Sequence, residues 1–418
     1  MVERLFVTRL GGGGDGVADA PDGPAHLPGI LPGERALAEA DGRRWRILER
    51  VDASPDRIEP FCPYYGRCGG CVAQHVGPGL YAAWKRDKVE TALRRAGRAV
   101  AVEALRDGHG AGRRRVTFHA REVDGAVRVG FMAAGSHDLV PIDRCPITVE
   151  ALAPAAAAAE RLAGLVRGTG KPVDVAVTAT DGGLDVDLRG TGPLSEPRRQ
   201  ALIAEAGRLG LARLSLHGEV LVAPGEPAVA VGPARVILPP GSFLQATAEG
   251  EAVLTGLVDE ACGGAKRIAD LFCGVGPFAF RLADRAEIHA VDGDAAALAA
   301  LDRAARAVPG LRRIAVERRD LFRRPLLPLD LAGFDAAVLD PPRAGAEAQV
   351  RQIAESALAR VVMVSCDAGT FARDAAILAE AGFTADRIVP VDQFRWSAHV
   401  EIVGTFTRPR PKGGRRRR

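Results

Sequence analysis

Residues 267–280 read RIADLFCGVGPFAF, and the fold turns on them. Ile268 to Phe272 form a mostly apolar run of strand length with one acid, Asp270; Gly274 and Gly276 follow at once, and a helix-like pattern begins at Pro277. Strand, glycine turn and helix make the start of a βαβ unit, in which glycines let the backbone approach a ligand at a helix amino terminus. A lone GxG pair is weak evidence, so the surroundings decide. Strand-like runs recur at EIHAVD (287–292), RIAVERRD (313–320), FDAAVLD (334–340) and RVVMVS (360–365), with helical stretches between them. This alternation predicts an open parallel sheet with helices on both faces. RIVPVDQF (387–394) and HVEIVGTF (399–406) predict a closing antiparallel pair at the edge of that sheet. No internal repeat is visible.

The ends of these strands carry acids. Asp292 ends the second strand, sixteen residues after Gly276, where a carboxylate can grip a ribose diol. Asp320 ends the third strand and Asp340 the fourth. Any one of them has a plain reading as a solvated turn acid. Three on the edge where open α/β sheets bind ligands predict a cofactor crevice. The LDPPRAG turn (339–345) resembles the catalytic loop of S-adenosylmethionine-dependent methyltransferases. Amino-group methyltransferases follow the two prolines with an aromatic that stacks on the target base. Arg343 stands there instead, which argues for a different acceptor atom.

The fifth strand runs VVMVSCDAGTF (361–371) and delivers Cys366 to the same edge as Asp340. A strand-end cysteine is ordinarily a small hydrophobe. Beside a methyl donor it has a use, because carbon 5 of uracil is a poor nucleophile. A thiolate added to carbon 6 turns the ring into an enolate whose carbon 5 attacks the sulfonium methyl. A base must then take the carbon 5 proton so that the thiolate can leave. Glu401, on the last strand, is the candidate base, against a plain reading as a solvated strand-end acid. The thiolate is the reactive form, so the site is expected to lower the thiol's pKa below about 8.5.

Gln245 in GSFLQAT, together with DLFCGVGPF, HAVDGD, LDPPRAG, VSCDAGTFARD and HVEIV, resembles the RNA uracil-C5 methyltransferases. These motifs run from residue 241 to 406 in the family's order. The resemblance implies Cys366 as nucleophile and Glu401 as proton acceptor. It implies cofactor contacts at Gln245, Phe272, Asp292 and Asp320, with Asp340 between cofactor and base. Gly274 and Gly276 supply the turn beside them. Two departures are Pro277, where the family commonly has asparagine, and SCDAGTF in place of a Ser-Cys-Asn-Pro run, which bears on the loop after the nucleophile.

FCPYYGRCGGC (61–71) places Cys62, Cys68 and Cys71 within ten residues, and Cys145 in DRCPI offers a fourth thiol. Zinc sites normally use two close pairs. One run of three with a distant fourth suits a [4Fe–4S] cluster better. A branch of the same family carries this Cys-x5-Cys-x2-Cys run, so the resemblance also implies iron–sulfur. Radical S-adenosylmethionine enzymes have a shorter first gap. Cys262 and Cys273 read as structural.

The first fifty residues predict short strands, with glycine turns at GGGGDG and an Asp41-Gly42 turn, and resemble a TRAM domain, a small OB-like β-barrel that binds RNA. A helix is expected near Pro78 to Ala96 with Ala82, Val89, Ala92, Leu93 and Ala96 on its inner face. Residues 110–240 predict two hairpins and two helices, an α+β arrangement. GRRRVTF (112–118) falls where the family has an aromatic-Arg motif, with Gly112 in the aromatic's place. Arg113 and Arg343 are the candidate RNA contacts. The expected division is a barrel at 1–53, a central iron–sulfur domain at 54–240, a Rossmann-like catalytic domain at 241–407 and a basic tail at 408–418.

At 418 residues, two or three domains are expected. No signal peptide is expected from the amino-terminal pattern, no run of about 18 apolar residues is present, and seven unevenly spaced cysteines argue against a secreted disulfide framework. A cytoplasmic monomer is the expectation. The net charge of +4 comes from the tail: without its seven basic residues, 49 basic residues face 52 acidic. Such a tail is expected to be disordered, either solubilising or loosely attracted to phosphates. The reading is an S-adenosylmethionine-dependent RNA uracil-C5 methyltransferase that takes a flipped or looped uridine. By resemblance the RNA is 23S ribosomal RNA, with transfer RNA as the alternative. The rival from another class is a non-catalytic RNA-binding or assembly protein, which would need none of Cys366, Asp340 and Glu401 together.

Overall fold

Apolar side chains alternate along the first strands, and the structure, a computed structural model, shows what they cover. It describes residues 2–41, 44–168 and 172–409. Strands Val2–Leu10, Gly16–Ala20, Gly23–Leu27, Arg35–Asp41 and Arg44–Arg50 form one antiparallel sheet with Val2–Leu10 in the middle. Leu5, Val7, Ala18, Leu27, Ala36 and Ala38 pack inside its curl. The edge strands Gly23–Leu27 and Arg44–Arg50 touch. The expected barrel is therefore a curled sheet: among the described residues no hydrogen-bonded ladder closes it. Gly42 of the expected Asp-Gly turn lies outside the described residues.

A second, seven-stranded sheet holds the two expected hairpins, Arg115–Val123 with Ala126–Met132 and Val173–Thr180 with Gly183–Arg189. Helices Ala155–Leu165 and Glu196–Arg208 pack on it and on each other. A short hairpin, Ala228–Val231 with Ala234–Ile237, sends Val229, Val231 and Val236 into the core of the region built on the remaining, eight-stranded sheet instead.

That region contains helix α1 (Pro78–Arg95), strand β1 (Arg106–Asp107), α2 (Ala248–Ala261), β2 (Arg267–Leu271), α3 (Pro277–Leu282) and β3 (Glu287–Asp292). It continues through α4 (Ala295–Ala307), β4 (Ile314–Arg318), β5 (Ala336–Leu339), α5 (Glu347–Glu355), β6 (Arg360–Ser365), α6 (Ala368–Glu380), β7 (Thr384–Asp392) and β8 (Glu401–Thr407). The sheet runs β4-β3-β2-β5-β6-β8-β7-β1. Strands β4 to β6 are parallel, and β8 is antiparallel to both its neighbours. The final pair is not the edge of the sheet, because the two-residue β1 adds outside β7. Strands β2, β5 and β6 are buried almost throughout, as strands covered on both faces must be. Helices α2, α3 and α4 bury Leu254, Phe278 and Leu301 on one face; α1, α5 and α6 bury Leu93, Ile353 and Phe371 on the other. Between β2 and β5 the strand order reverses, and ligand crevices open at the carboxyl ends there.

Helix α1 corrects the expected inner face. Val89 and Leu93 are buried, but so are Tyr81, Trp84 and Lys85, whereas Ala82 and Ala92 are only half-buried. Lys85 Nζ donates to Asp392 Oδ1 at 3.0 Å, and Tyr81 Oη donates to the other carboxylate oxygen at 2.8 Å. Removing one member of such a buried pair strands the other charge, at a cost of about 3–5 kcal/mol. The pair pins the end of β7 to α1. At the carboxyl end, Arg408 is bound to the carbonyls of Ala354, Leu358 and Ala381, and residues 410–418 of the expected disordered tail lie outside the described residues. No helix among the described residues is long and apolar enough to cross a membrane.

Candidate active site and thiol cavity

The glycine turn after β2 forms because its geometry excludes other residues. Gly276 has φ 90 and caps α3, and a β-carbon there would lie 2.6 Å from the Leu301 side chain. The Gly274 amide donates to Asp292 Oδ2 at 2.8 Å, which fixes the acid at the end of β3 against the turn. Phe272 has φ 62, a left-handed conformation costly for a bulky residue, and its ring lies 5.3 Å from that of Phe322. Asp320 lies two residues beyond β4 and accepts from the Phe322 amide, so it orients this aromatic wall.

A crevice of about 980 Å³ opens here and is lined by Gln245, Phe272, Gly274, Asp292, Asp320, Asp340, Arg343, Cys366 and Glu401. Of the expected catalytic and cofactor residues only Gly276 is missing from its wall, and its part is to shape the turn. Stacked rings with carboxylates beside them suit a nucleoside with hydroxyl and amino donors, so the residues present fit S-adenosylmethionine. Asp340 follows β5 directly. The loop after it is tied to α6: Thr370 Oγ1 donates to the Arg343 carbonyl and the Ala346 amide to Asp374 Oδ2. Cys366 sits between β6 and α6, and Asp367 caps α6 by accepting from the Gly369 and Thr370 amides at 2.9 Å. The Asp-Ala-Gly departure after Cys366 thus starts a helix.

The electrostatics correct one expectation. The Cys366 thiol is pushed up to about 11, by burial first and by the Glu401 charge second, with Arg343 opposing. Burial and a neighbouring carboxylate both disfavour the thiolate. The resting thiol is therefore protonated at neutral pH. Iodoacetamide should alkylate Cys366 in the free protein slowly, with a rate that climbs about tenfold per pH unit from 8 to 10. Peptide mass spectrometry follows this directly, and a rate that levels off near the unperturbed value of about 8.5 would contradict it. Burial likewise brings Glu401 up to about 7, and burial with the Glu401 charge holds Asp340 well above the carboxylate range. Beneath the turn lies an acid that the sequence reading passed over: Asp270 is buried and pushed up to about 8 by burial and by Asp292.

Two further residues were missed because their partners are distant in sequence. Arg114 Nε donates to the Gln245 carbonyl at 3.0 Å, and its guanidinium pairs with Glu251, so Arg114 holds Gln245 in place. Gln393 lies between Gln245 and Glu401. Phe243, exposed at the crevice mouth, carries the Arg115 guanidinium 4.7 Å above its ring. Of the expected RNA contacts, Arg343 faces the crevice and approaches His399 Nε2 at 3.0 Å. Arg113 does not reach the open crevice. It lines a neighbouring cavity and meets the crevice only through the Phe394 ring, 5.4 Å away. Gly112 takes the aromatic's place because, at φ 115, a β-carbon would lie 2.8 Å from the Ile147 carbonyl oxygen.

That cavity, about 700 Å³, gathers Cys62, Cys68, Cys71 and Cys145, all free thiols. The Gly70 amide points at Cys68 Sγ from 3.4 Å. Burial raises Cys68 and Cys145, and brings Cys71 to about 11. Among the described residues no three His, Cys, Asp or Glu converge as a single metal ion requires. Thiolates on one zinc ion would stand about 3.8 Å apart. Cys262 and Cys273 are buried and apart from the cavity.

The strand order, the reversed final pair and the crevice beyond the glycine turn define a class I methyltransferase fold. The profile of the tRNA (Uracil-5-)-methyltransferase family matches residues 238–408. An RNA methyltransferase of Brucella suis biovar 1 is 45% identical over 97% of this chain and 98% of its own length. The 23S rRNA (uracil(1939)-C(5))-methyltransferase RlmD of Chromohalobacter salexigens is 34% identical over 98% of this chain and 90% of its own. The fold is that of the tRNA (uracil-54, C5)-methyltransferase of Pyrococcus abyssi, solved with S-adenosyl-L-homocysteine. The TM-score is 0.72 at 21% identity, over 97% of this chain and 100% of that one. The chain belongs to the RNA uracil-C5 methyltransferase family and is an S-adenosylmethionine-dependent enzyme.

Proposed function

We propose that the chain methylates carbon 5 of a uridine in 23S ribosomal RNA through a covalent bond between Cys366 and carbon 6. The observation that carries this reading is the convergence of Cys366, Asp340 and Glu401 on one crevice with the acids at the strand ends. S-adenosylmethionine supplies the methyl group on a positively charged sulfur. The Cys366 sulfur adds to carbon 6 after losing its proton to solvent, the carbon 5–methyl bond forms as the sulfonium–methyl bond breaks, and Glu401 takes the carbon 5 proton. The electron pair left at carbon 5 then expels the Cys366 thiolate. Asp340, whose pKa is raised by burial and then by the Glu401 charge, offers an O–H to the exocyclic oxygen on carbon 4, where enolate charge develops. Phe243 under Arg115 offers a stacking surface to a base drawn out of its helix.

The 34% identity over nearly the whole chain to a 23S ribosomal RNA enzyme supports the RNA assignment. The family profile, described by a transfer RNA activity, keeps transfer RNA as the second reading. Cys62, Cys68, Cys71 and Cys145 are proposed to hold a [4Fe–4S] cluster, supported by four free thiols on one cavity with the Gly70 amide directed at a sulfur. The amides of Val72 and Ala73 donate to the Trp396 carbonyl, so the thiol loop braces the segment between β7 and β8. The proposed role of the cluster is to keep that brace folded. Nucleoside mass spectrometry of separated RNAs from a strain lacking the gene tests the substrate. Loss of 5-methyluridine from 23S ribosomal RNA with unchanged transfer RNA supports the first reading, and the reverse supports the second.

A further inference from the structure

We infer that Gln393 is a positioning residue that ties the proton-accepting Glu401 to the cofactor-side Gln245, so that the base step depends on this one buried amide. The inference rests on the covalent reading above and deepens it. Gln393 is fully buried. Its Nε2 donates to Glu401 Oε1 at 2.9 Å and to Gln245 Oε1 at 2.9 Å, which uses both of its hydrogens. Its Oε1 accepts from the Ala246 amide at 3.1 Å. Gln245 Nε2 passes the chain on to Asp340 Oδ2 at 3.1 Å. A side-chain amide with every polar atom engaged cannot rotate without breaking a bond. It therefore fixes which Glu401 oxygen is left free toward the crevice.

The surroundings are built to hold it. A β-carbon on Gly250 would lie 2.7 Å from Gln393 Cβ, so only a residue without a side chain at that position of α2 admits Gln393 so close. Asp392, next in the chain, is locked by Lys85 and Tyr81, and Trp396 is held by the thiol loop. The segment carrying Gln393 is thus anchored on both sides.

Gln393 hydrogen-bonds to Glu401 and Gln245 and reaches the thiol only through the Glu401 charge, so its larger effect is expected after the thiol has added. The test uses the full-length enzyme and a transcript containing the methylated uridine, made with uridine or with 5-fluorouridine. Gln393→Met keeps the volume and removes both donors. The fluorouridine adduct needs thiol addition and methyl transfer but no base, so Q393M should form it within about threefold of the wild-type rate. With uridine RNA, turnover should fall about 10–100-fold, part of what a general base supplies. A denaturant-stable adduct absent from the wild type should accumulate. The donated hydrogen bond favours the Glu401 anion, so its loss raises the acid limb of the rate profile to higher pH. Gln393→Glu, which adds a like charge, should raise it further and carries the same test should Q393M not fold. Fluorouridine adduct formation that falls in step with turnover, or an unmoved pH profile, overturns the proposal. If wild type methylates RNA but forms no fluorouridine adduct, the covalent reading fails and the proposal with it. If Glu401→Gln turns over normally, the base assignment fails instead.

Discussion

A Cys366→Ala enzyme is expected to lose methyl transfer to uridine by at least about 10⁴-fold while binding S-adenosylmethionine as the wild type does. Removing the nucleophile of a covalent mechanism has cost on the order of 10⁶ in kcat in a well-studied protease. Here the loss is near total because carbon 5 has no other route to nucleophilicity. The thiol is half-buried at the end of β6, and replacing it removes one sulfur from an open crevice wall without opening a cavity in the core. Stability should therefore change little, and cofactor affinity by calorimetry separates this chemical loss from unfolding. Alanine activity within about tenfold of wild type would remove the thiol from the mechanism.

The second large effect falls on the other side of the reaction. Glu401→Gln keeps the shape and a hydrogen-bonding oxygen for Gln393, but it cannot accept a proton. Turnover is expected to drop about 10²–10⁴-fold, the usual contribution of a general base. Unlike the alanine variant, it should accumulate a denaturant-stable RNA adduct with ordinary uridine. The wild type carries the complementary signature. Burial brings Glu401 up to about 7, and only its ionised form can accept a proton. The rate of the base step should thus rise with pH through about 7 and level off above it. A single-turnover profile with an acid limb near 4 would mean that the base is a solvated carboxylate elsewhere.

Much of this site was legible in the sequence, for a physical reason. Glycine turns, strand-end acids and the strand carrying Cys366 are local patterns, and a parallel sheet brings the carboxyl ends of its strands to one edge. What was not legible depends on tertiary proximity. Gln393 and Gln245 stand 148 residues apart in the chain, and Lys85 and Asp392 stand 307 apart. A lysine on a helix reads as a solvated position, so the buried face of α1 was drawn through alanines instead. The two-residue β1 carries no periodicity at all. The direction of the Cys366 shift was misread for the same reason: burial and the Glu401 charge raise it and outweigh Arg343. Arg113 belongs to a basic run whose three members go to three environments: Arg113 to the thiol cavity, Arg114 to Gln245 and Arg115 to Phe243.

The covalent bond at Cys366 is the center of this account, and intact mass spectrometry tests it most directly. The enzyme would be incubated with S-adenosylmethionine and a 5-fluorouridine transcript of the methylated RNA region, then denatured and digested with ribonuclease. Fluorine cannot leave as a cation, so the account predicts a protein heavier by a methylated fluorouridine fragment, mapped to the Cys366 peptide and absent from Cys366→Ala. Ribonuclease-treated protein of unmodified mass, from an enzyme that methylates the matching uridine RNA, would contradict it.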